Sequence, residues 1–138
     1  MSKIFIDTNI LVYTSDEAQL QKQEKAHQML GQLKNTGNGV VSTQILQEFY
    51  AAVTRKLKID PIKARGLLRT LEVFELVIVD YALIKEAVDS SILNHVSFWD
   101  ALMVVSARSA QCGTIWTEDL NSGQIIDGVR IENPLLSH

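Results

Sequence analysis

Five short apolar stretches recur along this chain, at residues 3–6, 40–41, 75–79, 114–117 and 129–132. Segments of helical pattern separate the first four. Short, near-continuous apolar strands alternating with helices demand a mostly parallel sheet, because each strand must return through a crossover and be covered on both faces. The expectation is an α/β chain, a three-layer α/β/α sandwich around one central sheet. A length of 138 residues suits one such domain, spanning 1–138. No linker, repeat or low-complexity tract interrupts it.

The helices carry their own punctuation. Residues 9–14 read as a first short helix and 17–34 as a long polar one, with Leu20, Ala26, Met29, Leu30 and Leu33 inward. Gly37 and Gly39 close that segment. Ser42 or Thr43 caps a helix reaching Leu57, since a hydroxyl satisfies a free N-terminal amide. Asp60-Pro61 opens the next, to Leu71, with proline at the first helical position. Asp80 caps 82–93. Ser97 caps 98–111, and Gly113 is expected to stop it.

Composition narrows the function classes. The single cysteine, Cys112, excludes an internal disulfide and a cysteine-cluster zinc site. No stretch resembles a membrane-spanning helix or a secretory signal, so a cytoplasmic chain is expected. The net charge of −3 gives no global attraction to nucleic acid. Any such binding needs a local patch. One window offers it: Arg55, Lys56, Lys58, Lys63, Arg65 and Arg69 place 6 of the 13 basic residues within 55–69. That cluster reads either as a backbone-tracking rim or as a solvated helix pair.

The informative residues are acids in unusual places. Asp7 directly follows the first strand, and ligands of parallel α/β sheets gather beyond the carboxyl ends of strands. Taken alone it reads first as an Asx-turn or helix cap. Asp119 follows the strand 114–117 at the same edge, with Glu118 beside it as an alternative or a turn residue. Asp100 sits in the first turn of a helix that is apolar on nearly every side, so its carboxylate needs a basic partner or a cation. Glu48 lies about 60° from Ile45, beside the buried stripe Ile45, Leu46, Phe49, Tyr50, Val53 and Leu57. A solvated surface is its plain reading, but it can overlook the same edge.

Taken together, these four acids share one predicted edge. Like charges about 4 Å apart repel by about 4 kcal/mol at an effective dielectric near 20. Such a cluster persists only with counter-charge. All-oxygen ligands suit a hard cation, magnesium or manganese. An ion held this way can activate water and offset charge on a phosphoryl group.

The segments Ile4-Phe-Ile-Asp-Thr-Asn-Ile-Leu11, Glu48 after Ser42-Thr-Gln-Ile, Phe98-Trp-Asp-Ala-Leu102, Ile115-Trp-Thr-Glu-Asp-Leu120, Gly123-Gln-Ile-Ile, Gly128-Val and Asn133-Pro134 resemble, in this order, the PIN-domain ribonucleases. The resemblance is to the VapC-like toxins of toxin–antitoxin modules and spans nearly the whole chain. One departure is Leu135, where an aromatic is frequent. The resemblance implies a metal-dependent endoribonuclease that leaves 5′-phosphate and 3′-hydroxyl ends. It assigns the metal-site acids to Asp7, Glu48, Asp100 and Asp119, with Thr8, Asn9 and Thr117 supporting them. It further implies an RNA substrate, a homodimer, and a small antitoxin that inserts a segment near the active site.

Other chemistry fits less well. His27, His95 and His138 fall on a polar helix, before a cap and at the terminus, so no histidine pair is placed on one crevice. An aspartyl nucleophile at Asp7 would need a late lysine, and none follows Lys85. A catalytically silent, metal-stabilised RNA- or partner-binding domain stands as the alternative. Phe98 and Trp99 border Asp100 and read first as core, second as stacking surfaces.

Overall fold

The computed structural model describes residues 2–136. A six-stranded sheet runs in the order β3-β2-β1-β4-β6-β5, and every neighbouring pair is parallel except β5 with β6. The strands are β1 (Lys3–Ile6), β2 (Gly39–Ser42), β3 (Glu75–Val77), β4 (Cys112–Trp116), β5 (Ile125–Ile126) and β6 (Val129–Glu132). The helices are α1 (Thr8–Tyr13), α2 (Leu20–Thr36), α3 (Thr43–Arg55), α4 (Pro61–Thr70), α5 (Tyr81–Asn94) and α6 (Phe98–Ser109). The expected architecture of a mostly parallel sheet flanked by helices is what forms.

The strand order follows from handedness. The crossovers from β1 to β2 and from β2 to β3 step one way, and the crossover from β3 to β4 steps back. Right-handed connections therefore carry α1–α4 on one face and α5–α6 on the other. The packing partners agree: α1 lies against α2 and α3, α3 against α4, and α5 against α6. β1 and β4 are neighbours whose crossovers leave in opposite directions, which opens a crevice at their carboxyl ends.

The core is built from the expected stretches. Phe5, Ile6, Val40, Val41, Ile115 and Ile131 are buried in the sheet, with Ile45, Phe49 and Val53 of α3 packed on it. In α6 every residue from Ala101 to Ala107 is buried, as its all-round apolar pattern demanded. α5 covers α6 through Ala87 and Leu83.

The caps decide where helices begin and end. Ser42, not Thr43, caps α3 by accepting from the Ile45 N–H. Thr43 instead accepts from the Val79 N–H at 3.1 Å. Asp60, Asp80 and Ser97 cap α4, α5 and α6 as expected. α2 starts at Leu20 rather than near Glu17, because Gln19 provides no side-chain cap, and Leu20 is left exposed in its first turn. The stop of α6 is not Gly113. Gln111 makes the left-handed turn at φ 64°, and Gly113 lies inside β4. β5 runs into β6 through an Asp127-Gly128 turn in which both residues take positive φ, a two-residue hairpin missed in the sequence.

Gly39 is required for a different reason. A Cβ there would meet the Phe74 ring carbons at 2.6 and 2.8 Å. Both residues are buried, so the ring has little room to yield. Gly39→Ala is expected to lower stability by about 1–3 kcal/mol, read as a reduced urea midpoint. An unchanged midpoint would show that the β2–Phe74 contact is loose.

Candidate active site

The crevice at the carboxyl ends of β1 and β4 is a cleft of about 730 Å³. Asp7, Glu48, Asp100 and Asp119 all line it. They come from the junction of β1 and α1, from α3, from α6 and from the loop after β4, segments far apart in sequence.

Asp7 is the anchor. Its N–H donates to the Trp116 carbonyl at 2.9 Å, which ties it to the end of β4. Its carboxylate caps α1 by accepting from the Thr8 N–H at 2.6 Å. Oδ2 accepts from the Thr117 hydroxyl at 2.7 Å and from the Asn9 amide at 3.4 Å. Thr117 is fully buried, and its hydroxyl also accepts from the Asp119 N–H at 3.1 Å. One threonine therefore couples the Asp7 side chain to the backbone of Asp119. Thr8 reaches the other way, its hydroxyl donating to Glu48 at 3.0 Å. Thr8, Asn9 and Thr117 thus all touch the acids they were expected to accompany.

Asp100 lies half-buried in the first turn of α6, where its own N–H is capped by Ser97. Asp119 and Glu48 are more exposed than Asp7. Glu118 turns to different partners. The Tyr13 hydroxyl donates to one of its oxygens and Lys22 Nζ to the other at 3.2 Å. Lys22 also lies 4.8 Å above the Tyr13 ring. Tyr13 and Lys22 carried no signal in the sequence, because their partner lies about a hundred residues away.

The electrostatics of the cleft are unbalanced. Asp7 is 7% exposed, and its pKa is pushed up to about 6. Burial is the main cause; the Thr117 and Thr8 hydrogen bonds oppose it, and the charges of Asp119 and Glu48 reinforce it. Among the described residues no lysine, arginine or histidine forms an ion pair with Asp7, Glu48, Asp100 or Asp119. Asn9 Oδ1, beside Asp7, is buried without a hydrogen-bond partner.

This donor set fits a hard divalent cation in kind: oxygens only, in one cleft, with none of the four acids in an ion pair among the described residues. In the arrangement described, no three acidic, histidine or cysteine side chains are drawn together as a ready-made ligand group.

The basic window is divided. Arg55 and Lys56 line the same cleft as the acids. Lys56, Lys58 and Lys63 line a second groove of about 720 Å³ between the α1–α2 connection and the start of α4. Arg65 and Arg69 are exposed on α4 and line neither. Among the histidines, His27 and His95 are exposed and outside the cleft, and His138 lies outside the described residues. Trp99 departs from its expected core position, being 61% exposed at the cleft. Gln44 was also missed: it is buried in the cleft wall, its amide donating to the Trp99 carbonyl at 3.3 Å.

A carboxylate whose pKa rises on folding holds its proton more tightly in the folded chain. The destabilisation from Asp7 is absent below its unfolded pKa of 3.8 and grows as pH rises to about 6. Without divalent cations, Asp7→Asn should therefore stabilise the protein at pH 7.5 by up to about 3 kcal/mol relative to its effect near pH 3.5. Denaturant midpoints of the two proteins at both pH values measure this. A variant less stable at pH 7.5 would contradict the assignment of Asp7 as a strained buried charge.

A model of the PIN domain family matches residues 4–125. No curated protein matches. Among solved structures, the chain is similar to Mycobacterium tuberculosis VapC20, a toxin that cleaves the sarcin–ricin loop, with 19% identity and a TM-score of 0.66 over 93% of this chain and 99% of that one. It is also similar to a chain of a Klebsiella pneumoniae toxin–antitoxin complex, with 17% identity and a TM-score of 0.71 over 96% and 98%. DNA-bound VapBC of Salmonella typhimurium gives 19% identity and 0.71 over the same shares. At these identities the likeness is one of fold. With its family match covering most of the sequence and its acids gathered at the β1–β4 crevice, the chain belongs to the PIN domain family.

Proposed function

We propose that this chain is a divalent-cation-dependent endoribonuclease, the toxin of a toxin–antitoxin pair. The carrying observation is the gathering of four carboxylates from distant segments in one cleft with no ion-pair partner among the described residues. Membership of the PIN family supports the reading. So does the fold shared with a toxin that cleaves the sarcin–ricin loop and with chains of toxin–antitoxin complexes.

Asp7, Asp100, Asp119 and Glu48 would hold magnesium or manganese. When bound, such an ion supplies Lewis acidity at the phosphoryl oxygens and lowers the pKa of water. The chain's own residues do the rest. Thr117, through Asp7 and the Asp119 backbone, keeps two acids in register. Thr8 orients Glu48. Asp7 or Asp119 orients the attacking water or takes its proton. Arg55 and Lys56 neutralise neighbouring phosphates that the acids would repel, and Lys58 and Lys63 extend that path into the adjoining groove. Tyr13 and Lys22 hold Glu118 in place on the loop before Asp119.

Incubation of purified protein with structured RNA and manganese should yield cuts with 5′-phosphate ends, abolished by chelator. Asp7→Asn and Asp100→Asn should each slow cleavage roughly 10²- to 10⁴-fold. Binding of RNA without metal-dependent cutting would instead support the silent binding domain.

A second copy is the proposed structural partner. The outer face of α5 exposes Tyr81 (71%), Ile84 (38%), Val88 (43%) and Ile92 (69%) at helical spacing, with Leu76 and Ile78 next to them in the chain. Contiguous apolar surface of this kind marks an interface. Ile84→Asp with Val88→Asp should convert a dimer to a monomer in light scattering. A wild-type monomer at micromolar concentration would refute the dimer. Among the described residues no helix is long and apolar enough to cross a membrane.

A further inference from the structure

Trp99 is the second residue of α6, immediately before Asp100, and its side chain lines the cleft that holds the four acids. It is 61% exposed, whereas Trp116, the other tryptophan of the chain, is 7% exposed. Leaving so large an apolar ring in water forgoes burial free energy, so its position calls for a ligand. The ring is also firmly seated. Phe98 meets it edge-on, with centroids 5.1 Å apart and planes at 77°. Phe98 in turn packs against the buried α5–α6 cluster of Ala87, Ala101, Leu102 and Val105. The Gln44 amide, itself buried, holds the Trp99 carbonyl at 3.3 Å, and Ser97 caps the turn. An indole mounted on a core helix gives up little conformational entropy when it binds.

We propose that Trp99 is a stacking platform for one unpaired base of the RNA, adjacent to the phosphate that is cut. This rests on the ribonuclease reading and names what that site requires of its substrate. The same cleft supplies the complementary chemistry: Arg55 and Lys56 for backbone phosphates, and the carboxylates for the cleavage position. A base can lie flat on an indole only when it is unstacked from its neighbours. The site therefore selects loops, bulges or single strands over continuous duplex. A protein segment is the competing occupant, since Val12, Ala51, Leu57 and Met103 also line the cleft; Arg55 and Lys56 in the same cleft favour a phosphate-bearing ligand.

The test uses the full chain in chelator, so that binding is read without cleavage. The probes are a mixed-sequence 12-nucleotide single-stranded RNA, the same strand with single abasic positions, and its perfect duplex. Trp99 dominates the solvent-sensitive emission, since Trp116 is buried. The single strand is expected to quench it, and one abasic position should weaken binding far more than the others. Trp99→Ala should lose affinity for the single strand roughly 5- to 100-fold, with Trp99→Phe in between and duplex binding unchanged. Circular dichroism and melting temperature check that both variants fold.

Equal affinity of wild type and Trp99→Ala for the single strand would overturn the proposal. So would parallel losses for single strand and duplex, or emission that answers only to a co-expressed protein partner. The two readings fail separately. Base-dependent quenching without metal-dependent cleavage upholds the platform and removes the nuclease. Cleavage with an unchanged KM in Trp99→Ala does the reverse.

Discussion

Asp7 stands at the carboxyl end of the central strand with most of its hydration removed and no cation beside it. Three donors offset part of that cost: the Thr8 N–H, the Thr117 hydroxyl and the Asn9 amide. They leave its pKa well above the ordinary carboxylate range, at about 6. The surrounding architecture follows from keeping this group where it is. The α1 helix begins on it, the end of β4 is tied to it through Trp116, and the loop carrying Asp119 is referred to it through Thr117. A buried carboxylate that is hydrogen-bonded and still raised in pKa marks a candidate functional acid, and Asp7 is at the same time the cap of α1.

The sheet explains why the acids meet at this point and no other. Crossovers leave β1 and β4 in opposite directions, so no helix covers the carboxyl ends of that pair. α1 starts at one lip, the loop after β4 forms the second, and the second turn of α3 and the first turn of α6 bring Glu48 and Asp100 to the rim. Asp7, Asp100 and Asp119 sit at a helix start or a strand end, where side-chain bonds hold the local backbone, and Glu48 is carried by the body of α3. The side chains are thus carried on ordered elements of the fold.

Around this centre the polar residues sort by partner. Glu118 neighbours Asp119 in sequence, yet it is drawn away by Tyr13 and Lys22. The basic window splits likewise: Arg55 and Lys56 face the cleft, Lys58 and Lys63 the next groove, and Arg65 and Arg69 neither. Charge that looks like one cluster along the chain becomes a path on the surface, because helix α3 ends and α4 starts within it.

Much was legible in the residues alone. Alternating apolar stretches and capping residues dictated a parallel α/β sheet and most helix starts, since local hydrogen bonding and hydrophobic periodicity are set by neighbours in sequence. The positions of Asp7, Asp100 and Asp119 at one edge followed from that topology. The start of α2 and the left-handed turn at Gln111 were not legible, because each turns on a missing cap or a backbone torsion that composition does not mark, whereas the small β5 strand was missed although Asp127-Gly128 between apolar residues signals a hairpin. Only the tertiary structure decided that Glu118 pairs with Lys22, that Gln44 is buried and that Trp99 is exposed. These depend on contacts between segments tens of residues apart. Periodicity tells which side of a helix is apolar, but what stands opposite is settled only when the layers close.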